Sequence, residues 1–459
     1  MTGDLCSLSI EEIQALIRFG TVTRREIIEA HLARIDVVNP QTNTFVELRA
    51  SQVLAEAGKA DMDRGRSIHG ALDGVPMSVK DSYGVKGLNR TDGLPINAHR
   101  LSEQDDSVVA RLRSAGALIL GHGNVPDLCV RWNTISGLYG ASRNPRNLSL
   151  SVGGSSGGEA GNVASGMATA ALGQDLGGSI RVPASFCGVY GIRTSPGVVP
   201  NVASIPAFPA TPAIQAMGTI GPLARSVADL EAVYGVIAGV NPLDPTSVPV
   251  LASVPGQLPK VAVLRGETGA VIAPEIERRL SDTVVLLGDA GYEVMEAVLP
   301  DLHRAPEIWA EINGTDLIRV TLPRIGHLMN ESGRQHILQM FGSFELGPDL
   351  AIYNDAWLER SAMLETWVRF AEEYPLVVAP VAGMVTPPLD FDYMLDYADT
   401  MKLFDQMRCV PWVNLFGLPS LALPNGIQLI GRRFREDEVF AAAHAVEGSL
   451  SKVEIATLT

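Results

Sequence analysis

Cysteine and histidine are both sparse in this chain, and their spacing excludes the protein classes that depend on them. Four cysteines are spread over 459 residues, and no two of them form a Cys-x-x-Cys pair. Disulfide frameworks are typical of short, cysteine-rich chains, and cysteine zinc sites are typical of Cys-x-x-Cys pairs. The eight histidines are scattered as well, and none lies four residues from another. The sequence therefore predicts no bound metal.

Positive charge is also in short supply. Lysine and arginine together number 36 against 51 aspartates and glutamates, so the net charge is −15. Nucleic acids and anionic membranes are bound by clusters of basic residues, and none stands out here. The chain also lacks an apolar run long enough for a membrane-spanning helix, and its first residues lack the basic and apolar regions of a signal peptide. We expect a cytoplasmic protein without a nucleic-acid or membrane partner.

Apolar residues, in contrast, are abundant at 46%, which is enough for a large buried core. Segments of strand character alternate with segments of helical character. The strand-like segments are 75–79, 118–120, 260–264, 292–298, 376–381 and 420–423, and the helical ones are 108–115, 159–171, 227–237 and 276–290. This alternation predicts an α/β fold in which helices cover both sides of a central mixed β-sheet.

Two capping boxes mark the first helices of the chain. A serine or threonine followed three residues later by glutamate satisfies the free N–H groups at a helix start. Ser9 with Glu12 predicts the first helix. Thr23 with Glu26 predicts a second helix, which ends before Pro40.

The chain shows neither an internal repeat nor a flexible linker. Its length alone would suggest about three domains, but the proline-rich connection at 242–259 is short. An Asn-Gly pair at 425–426, between two apolar segments, predicts a two-residue β-hairpin. We predict a single domain over residues 1–459, in which a helical region at about 301–400 lines the binding pocket.

A serine at position 179 follows a leucine and two glycines, and this arrangement suits nucleophilic catalysis. Consecutive glycines let the backbone turn so that successive N–H groups converge on one point. Converging N–H groups stabilise the negative oxygen that forms when a serine attacks a carbonyl. The backbone at Leu176, Gly177, Gly178 and Ser179 is thus a candidate oxyanion hole, although an isolated Gly-Gly-Ser is most often an ordinary turn.

A second serine, Ser155, lies in a Gly-Gly-Ser-Ser-Gly-Gly segment at 153–158, ahead of a helical segment. Glycine-rich loops before helices often bind phosphate. This one lacks the Lys-Ser/Thr ending of a Walker loop and the glycine spacing of a dinucleotide site. We therefore expect no cofactor, and Ser155 is either a helix cap or a catalytic group.

Lys80 directly follows the apolar segment 75–79, so its side chain is expected inside packed structure. Burial disfavours the ammonium form of a lysine and makes it a better base. The neighbouring Asp81 would favour the ammonium, but adjacent residues of a strand point to opposite faces. A lone lysine is usually a solvated surface residue. The two serine loops make Lys80 a candidate general base, because a lysine and two serines can hydrolyse a substrate without histidine or metal.

Taken together, these segments resemble the amidase signature family. The spaced glycines, both serines, the lysine and Pro-Ala-Ser-Phe-Cys-Gly at 183–188 agree with the family pattern within a core of about residues 74–200. Further blocks match on both sides of this core, so the resemblance covers about residues 7–447, apart from 301–375. The resemblance implies one α/β domain with a central mixed sheet between helices.

The resemblance also implies a role for each candidate residue. It implies Ser179 as nucleophile, Ser155 as proton relay and Lys80 as general base. It places a non-proline cis peptide bond at Ser155. By position, it implies that the backbone near Cys129 and Val130 borders the acyl pocket.

The implied activity is hydrolysis of the C–N bond of a small amide through an acyl-enzyme. The absence of lysine and arginine from 124–130 favours neutral, apolar or aryl amides, with carbamates and esters as related substrates, and the chain would be a monomer or homodimer. The apolar stretch 205–209 is either a pocket wall or a packed loop. An alternative function is the amidase subunit of a tRNA-dependent amidotransferase, which passes ammonia to a partner. An inactive binding scaffold would require a broken triad, and this triad is intact.

Overall fold

The alternating segments of the sequence supply the strands of one large sheet. The computed structural model describes residues 4–204, 210–250, 258–342 and 350–458. The strands are β1 (Phe45–Leu48), β2 (Pro76–Lys80), β3 (Leu118–Gly123), β4 (Ile135–Ser136), β5 (Gly140–Ala141), β6 (Arg143–Asn144), β7 (Asn147–Ser151), β8 (Ala170–Asp175), β9 (Tyr190–Arg193), β10 (Thr219–Ala224), β11 (Val261–Val263), β12 (Val294–Met295), β13 (Leu376–Pro380), β14 (Ser420–Ala422) and β15 (Ile427–Gly431).

Eleven of these strands form a single mixed sheet. Their order is β1-β3-β2-β8-β10-β9-β14-β15-β13-β11-β12. The pairs β2–β3, β2–β8, β11–β12 and β11–β13 are parallel, and the other pairs in the sheet are antiparallel. The remaining strands form two small hairpins, β4–β5 and β6–β7. The prediction of one α/β domain with a central mixed sheet is confirmed.

Helices cover this sheet on both sides. The described helices are α1 (Ile10–Phe19), α2 (Arg24–Thr42), α3 (Ala50–Arg64), α4 (Ser107–Ser114), α5 (Gly157–Ala164), α6 (Arg181–Cys187), α7 (Pro212–Met217), α8 (Val227–Ile237), α9 (Pro274–Asp289), α10 (Ala305–Asp316), α11 (Leu322–Ile325), α12 (Glu331–Gly342), α13 (Leu350–Glu373), α14 (Tyr397–Met407), α15 (Pro411–Phe416) and α16 (Glu436–Glu447). A π-helical segment, Leu317–Thr321, follows α10 directly. None of the described helices combines the length and hydropathy that crossing a bilayer requires.

Successive residues of a strand belong to two different hydrophobic cores. In β8, Ala171 packs into one core, whereas Ala170 and Leu172 pack into the other. The first core includes α5, α6, α10 and α15, and the second includes α4, α8, α9 and α16. Because both faces of the sheet are buried, the strands β2, β10, β13 and β15 are buried at every residue rather than at alternate residues.

The predicted helix starts are confirmed, but one helix end differs. The side chains of Ser9 and Thr23 both form their capping boxes. The second helix, α2, continues through Pro40 to Thr42 instead of ending before the proline. A proline in the last turn removes only one hydrogen bond, and Asn43 then closes the helix with a left-handed φ of 51°.

The predicted helix over 159–171 is wrong in its second half. The helix α5 ends at Ala164, Gly166 turns the chain with a φ of 71°, and Ala170 begins β8. Small residues are compatible with both elements. Pairing of β8 with its two neighbours, β2 and β10, decides in favour of the strand, because a buried central position rewards cross-strand packing over helix propensity.

Two further boundaries differ from the sequence prediction. The strand expected at 292–298 is reduced to the two residues of β12. The hairpin at 425–426 is confirmed, but its loop has three residues, because Leu423 N–H still donates to Ile427 O at 2.8 Å. The region predicted as helical at about 301–400 contains α10 to α13 and the start of α14, with β13 entering the sheet between them.

Candidate active site

Two parallel strands bring the candidate residues to one edge of the sheet. The strand β2 ends at Lys80, and β8 ends at Asp175. The two strands are parallel neighbours, with Met77 opposite Ala170. The carboxyl ends of parallel neighbours lie at the same edge, so Lys80 and the glycine turn after β8 lie close together.

Lys80 is fully buried and contacts two serines of the loop before α5. Its Nζ lies 2.8 Å from Ser155 Oγ and 2.9 Å from Ser156 Oγ. The peptide bond between Gly154 and Ser155 is cis. The carboxyl group of Asp81 accepts hydrogen bonds from the N–H and hydroxyl of Thr91. Asp81 is therefore engaged away from the lysine, as the strand geometry predicts.

The loop before α5 is joined to the turn after β8. Ser156 N–H donates to Ser179 O at 3.1 Å. A Cβ at Gly154 would lie 2.6 Å from the carbonyl oxygen of Asn133, so only glycine fits there. The sequence analysis did not single out Ser156, although its place in the same glycine motif as Ser155 was an available signal.

The turn that carries Ser179 is held by two tryptophan side chains. Trp132 Nε1 donates to Gly177 O at 2.8 Å, and Trp309 Nε1 donates to Leu176 O at 2.9 Å. With these carbonyls engaged, the turn is fixed in one conformation. Neither tryptophan was found from the sequence, because nothing near either residue distinguishes it from an ordinary core aromatic.

One of the four predicted oxyanion donors is engaged elsewhere. Gly178 N–H donates to Asp175 Oδ1 at 2.8 Å, so the structure differs from the prediction at Gly178. The reason is that the turn wraps its backbone around the buried carboxylate. Within the described part of the chain, no acceptor is found for the N–H groups of Leu176, Gly177 and Ser179, which remain available for a substrate oxygen.

Asp175 is the centre of a buried polar network. The Arg181 guanidinium donates to it from Nε and Nη2, both at 3.1 Å, and Asn414 Nδ2 donates at 2.8 Å. Burial opposes ionisation, but the charge and hydrogen bonds of Arg181 hold the pKa of the Asp175 carboxyl well below its usual range. The turn is thus organised around a permanent anion. The sequence signal for this buried network was an aspartate and an arginine, Asp175 and Arg181, close together in a largely apolar segment.

Glu159, on α5, is a second buried acid near Lys80. Ser78 Oγ donates to its Oε1 at 3.5 Å, and Oε2 has no hydrogen-bond partner among the described residues. Burial raises the pKa of Glu159 to about 8, although the charge of Lys80 acts in the opposite direction. At neutral pH this carboxyl group is therefore mainly protonated.

A cavity of about 630 Å³ opens over the two serines. Ser155 and Ser179 line it, and so do Cys129 and Val130. Its walls are largely apolar and aromatic, including Leu128, Trp132, Ile214, Trp309, Met340 and Phe341. Burial raises the pKa of the Cys129 thiol to about 11, so this wall residue is neutral. The stretch 205–209 lies outside the described residues.

Groups of three or more histidine, cysteine, aspartate or glutamate side chains that could hold a metal ion are not found in the ranges that the structure describes. Cys6, Cys129, Cys187 and Cys409 are all free thiols.

Comparison with known proteins identifies a family for this chain. The family model described as Amidase matches residues 26–440. An indoleacetamide hydrolase of Bradyrhizobium diazoefficiens is 30% identical over 467 residues, which cover 97% of this chain and 87% of the relative. A glutamyl-tRNA(Gln) amidotransferase subunit from Roseiflexus castenholzii is 30% identical over 479 residues, which cover 96% of each chain.

The fold is found in solved structures as well. The 6-aminohexanoate cyclic dimer hydrolase in complex with its substrate has a TM-score of 0.85 and 23% identity, with 100% of both chains covered. At this identity the likeness shows the fold alone. The family match over most of the length is what shows that the chain belongs to the amidase family and is an amide-cleaving hydrolase.

Proposed function

We propose that the chain hydrolyses small neutral amides that carry an apolar or aryl group, with carbamates and esters as related substrates. The observation that carries the proposal is the buried Lys80, which contacts Ser155 at 2.8 Å while Ser155 and Ser179 line the same cavity. A buried lysine, a serine in contact with it and a second serine in the same cavity are the groups that a base-activated serine nucleophile needs.

In the proposed reaction, Ser179 Oγ attacks the amide carbonyl carbon. Its proton passes to Ser155 Oγ, whose own proton passes to Lys80 Nζ, the proposed base. The proton then returns through Ser155 to the leaving nitrogen, and the C–N bond breaks to give an amine or ammonia and an acyl-enzyme. Water hydrolyses that ester by the same path and releases a carboxylic acid. The N–H groups of Leu176, Gly177 and Ser179 stabilise the oxyanion in both steps.

The cavity supports an apolar or aryl substrate. Its volume of about 630 Å³ lies within the range of small-molecule sites. Trp132 and Phe341 offer aromatic surface, and we place Cys129 and Val130 at the border of the acyl group. The relative from Bradyrhizobium is named for indoleacetamide, an acetamide with an aryl substituent, and this name supports the same class of substrate.

A second candidate function is that of an amidotransferase subunit. The relative from Roseiflexus matches at the same identity and over 96% of both chains. In that role the chain would release ammonia from an amide donor and deliver it to partner subunits. The two candidate functions differ in whether the chain hydrolyses an aryl amide without partner subunits.

A substrate panel with the purified chain tests the proposal. The panel holds indole-3-acetamide, phenylacetamide, acetanilide, an aryl carbamate, an aryl ester and glutamine. We expect turnover of the aryl amides without any partner protein and little turnover of glutamine. A preference for glutamine, together with no detectable turnover of any aryl amide, would favour the amidotransferase role instead.

A covalent probe tests the nucleophile directly. A fluorophosphonate should label the native chain at Ser179, and Ser179→Ala should abolish both labelling and turnover. The exposed Ser281, on α9, provides the matched control, and Ser281→Ala should keep both. Labelling that persists in Ser179→Ala would show that another residue is the nucleophile.

A further inference from the structure

Several charges that line the cavity are paired. Arg131 Nε lies 2.6 Å from Asp392 Oδ2 in a buried ion pair. Arg90 lies 3.5 Å from Asp92 and 3.8 Å from Asp106. These cations and anions largely neutralise one another, so this part of the wall offers little net charge to a ligand.

Asp316 differs from these paired charges of the cavity wall, because one of its carboxyl oxygens has no partner among the described residues. It lines the cavity, and only 9% of its surface is exposed. Its Oδ1 accepts a hydrogen bond from the Tyr353 hydroxyl at 3.0 Å, whereas its buried Oδ2 has no hydrogen-bond partner among the described residues. Arg324 also lines the cavity, but it is exposed and donates to Val320 O. Buried polar atoms are almost always hydrogen-bonded, so an unpartnered oxygen on a carboxyl group that lines the cavity points to a donor on the ligand.

The helix α10 sets the distance between Asp316 and the reaction centre. Trp309, Asn313 and Asp316 are four and three residues apart, so they share one face of the helix, and all three line the cavity. Trp309 attaches this helix to Leu176, beside Ser179. Seven helical residues span about 10 Å. Asp316 thus lies roughly two helical turns from that attachment point.

We propose that Asp316 Oδ2 accepts a hydrogen bond from an uncharged N–H group at the end of the substrate remote from the scissile amide. The preferred substrates are then amides whose aryl group carries a ring N–H. An ammonium group would lose its hydration against walls such as Trp132 and Phe341, which favours the neutral donor. This inference rests on the proposed amidase function and names the substrate class of that same cavity.

Pairs of substrates that differ by one N–H test the inference in the native chain. Indole-3-acetamide, -propionamide and -butyramide are each compared with the 1-methylindole counterpart, which lacks the donor. We expect kcat/KM to favour the N–H member by about tenfold or more at the best-fitting chain length. Equal values for both members at every chain length would overturn the inference, and so would faster cleavage of an ω-ammonium amide of similar length.

Variants locate the effect at Asp316. Asp316→Asn keeps the size of the side chain and removes its charge, so the preference for the N–H member should shrink towards parity. The exposed Asp355, on α13, provides the matched control, and Asp355→Asn should keep the native preference. A preference that is unchanged in Asp316→Asn would overturn the inference, and the substrate pairs do not depend on how well that variant folds.

Binding separates this inference from the catalytic proposal. Calorimetric titration of Ser179→Ala with the same amide pairs measures affinity without turnover. Tighter binding of the N–H member would support the role of Asp316 even if the native chain cleaved none of these amides, a result that would contradict only the proposed function. Equal affinities would overturn the role of Asp316, whatever the native chain hydrolyses.

Discussion

The two sides of the candidate active site each contain a buried carboxyl group, and their surroundings drive these groups to opposite charge states. In the turn after β8, Asp175 accepts two hydrogen bonds from the Arg181 guanidinium and stays ionised. On α5, Glu159 accepts one long side-chain hydrogen bond, from Ser78, and burial raises its pKa to about 8. The two groups are equally inaccessible to solvent, so burial does not decide between them. The number and charge of the hydrogen-bond donors determine which carboxyl group is ionised.

This difference suits what each side has to do. A fixed anion holds the backbone of the glycine turn, because several N–H groups can converge on it. The lysine side requires the reverse, since an ionised carboxylate beside Lys80 would stabilise its ammonium form. A protonated Glu159 keeps that negative charge away from the proposed base. One site thus needs both kinds of buried acid.

Removing Lys80 has the largest expected effect on this arrangement. Lys80→Met keeps the length of the side chain and deletes the amine, so kcat/KM should fall by on the order of 10⁴-fold. Ser155→Ala should cost less, and the double variant should be little worse than Lys80→Met, because the residues act as one unit. Steady-state kinetics with the best aryl amide measure all three. Activity retained to about one tenth in Lys80→Met would exclude the lysine as base.

Removing the anion of the glycine turn should cost the most stability. Asp175→Asn leaves Arg181 buried without its counter-ion, so we expect a loss of about 3–5 kcal/mol in the free energy of unfolding. Urea denaturation at pH 7 measures it. The exposed Asp399, which pairs with Lys402, is the control, and Asp399→Asn should cost less than about 1 kcal/mol. Similar losses in the two variants would contradict the importance of the buried pair.

The protonated acid on α5 should make stability depend on pH. The pKa of Glu159 is raised from 4.5 to about 8, so its contribution is complete below pH 4.5 and is lost as pH rises through 8. Glu159→Gln cannot ionise, so its stability relative to the native chain should improve by more than about 1 kcal/mol between pH 5 and pH 8. Denaturation curves at several pH values measure this difference, and Glu365→Gln, at an exposed position, should show none.

A milder change to the glycine turn should have the smallest effect. Trp309→Phe keeps an aromatic ring but removes the N–H that donates to Leu176 O. Loss of one hydrogen bond of about 1 kcal/mol should lower kcat roughly five- to tenfold. Because the free N–H groups of the turn act on the oxyanion, KM should change less than kcat. A change confined to KM would mean that Trp309 acts only as a cavity wall.

Much of the fold and the proposed triad could be predicted because their signals are local. Lys80 follows an apolar strand, and Ser155 and Ser179 lie in short glycine motifs. Parallel pairing of β2 with β8 then brings these separate signals to one edge of the sheet. The boundary between α5 and β8 was less predictable, because small residues suit both elements and only the neighbouring strands decide.

The groups that support the proposed triad could not be predicted, because their partners are distant in the chain. Asn414 reaches Asp175 across 239 residues, and Trp309 reaches Leu176 across 133 residues. No pattern near Trp309 shows that its indole N–H holds the turn that carries Ser179. Such contacts depend on how helices pack over the sheet, and sequence periodicity carries no information about individual partners.

The position of α10 has a consequence for how this enzyme can acquire new substrates. One end of the helix fixes the turn beside Ser179, and the other end carries Asp316 on the cavity wall. A helix moves as a nearly rigid rod, so mutations that tilt it to admit a bulkier ligand also displace the turn. Directed evolution on α10 should therefore trade rate against selectivity. The loop at Cys129 and Val130 is tied to the same turn two residues later, where Trp132 donates to Gly177 O, so diversification there is best confined to Cys129 and Val130 with Trp132 kept.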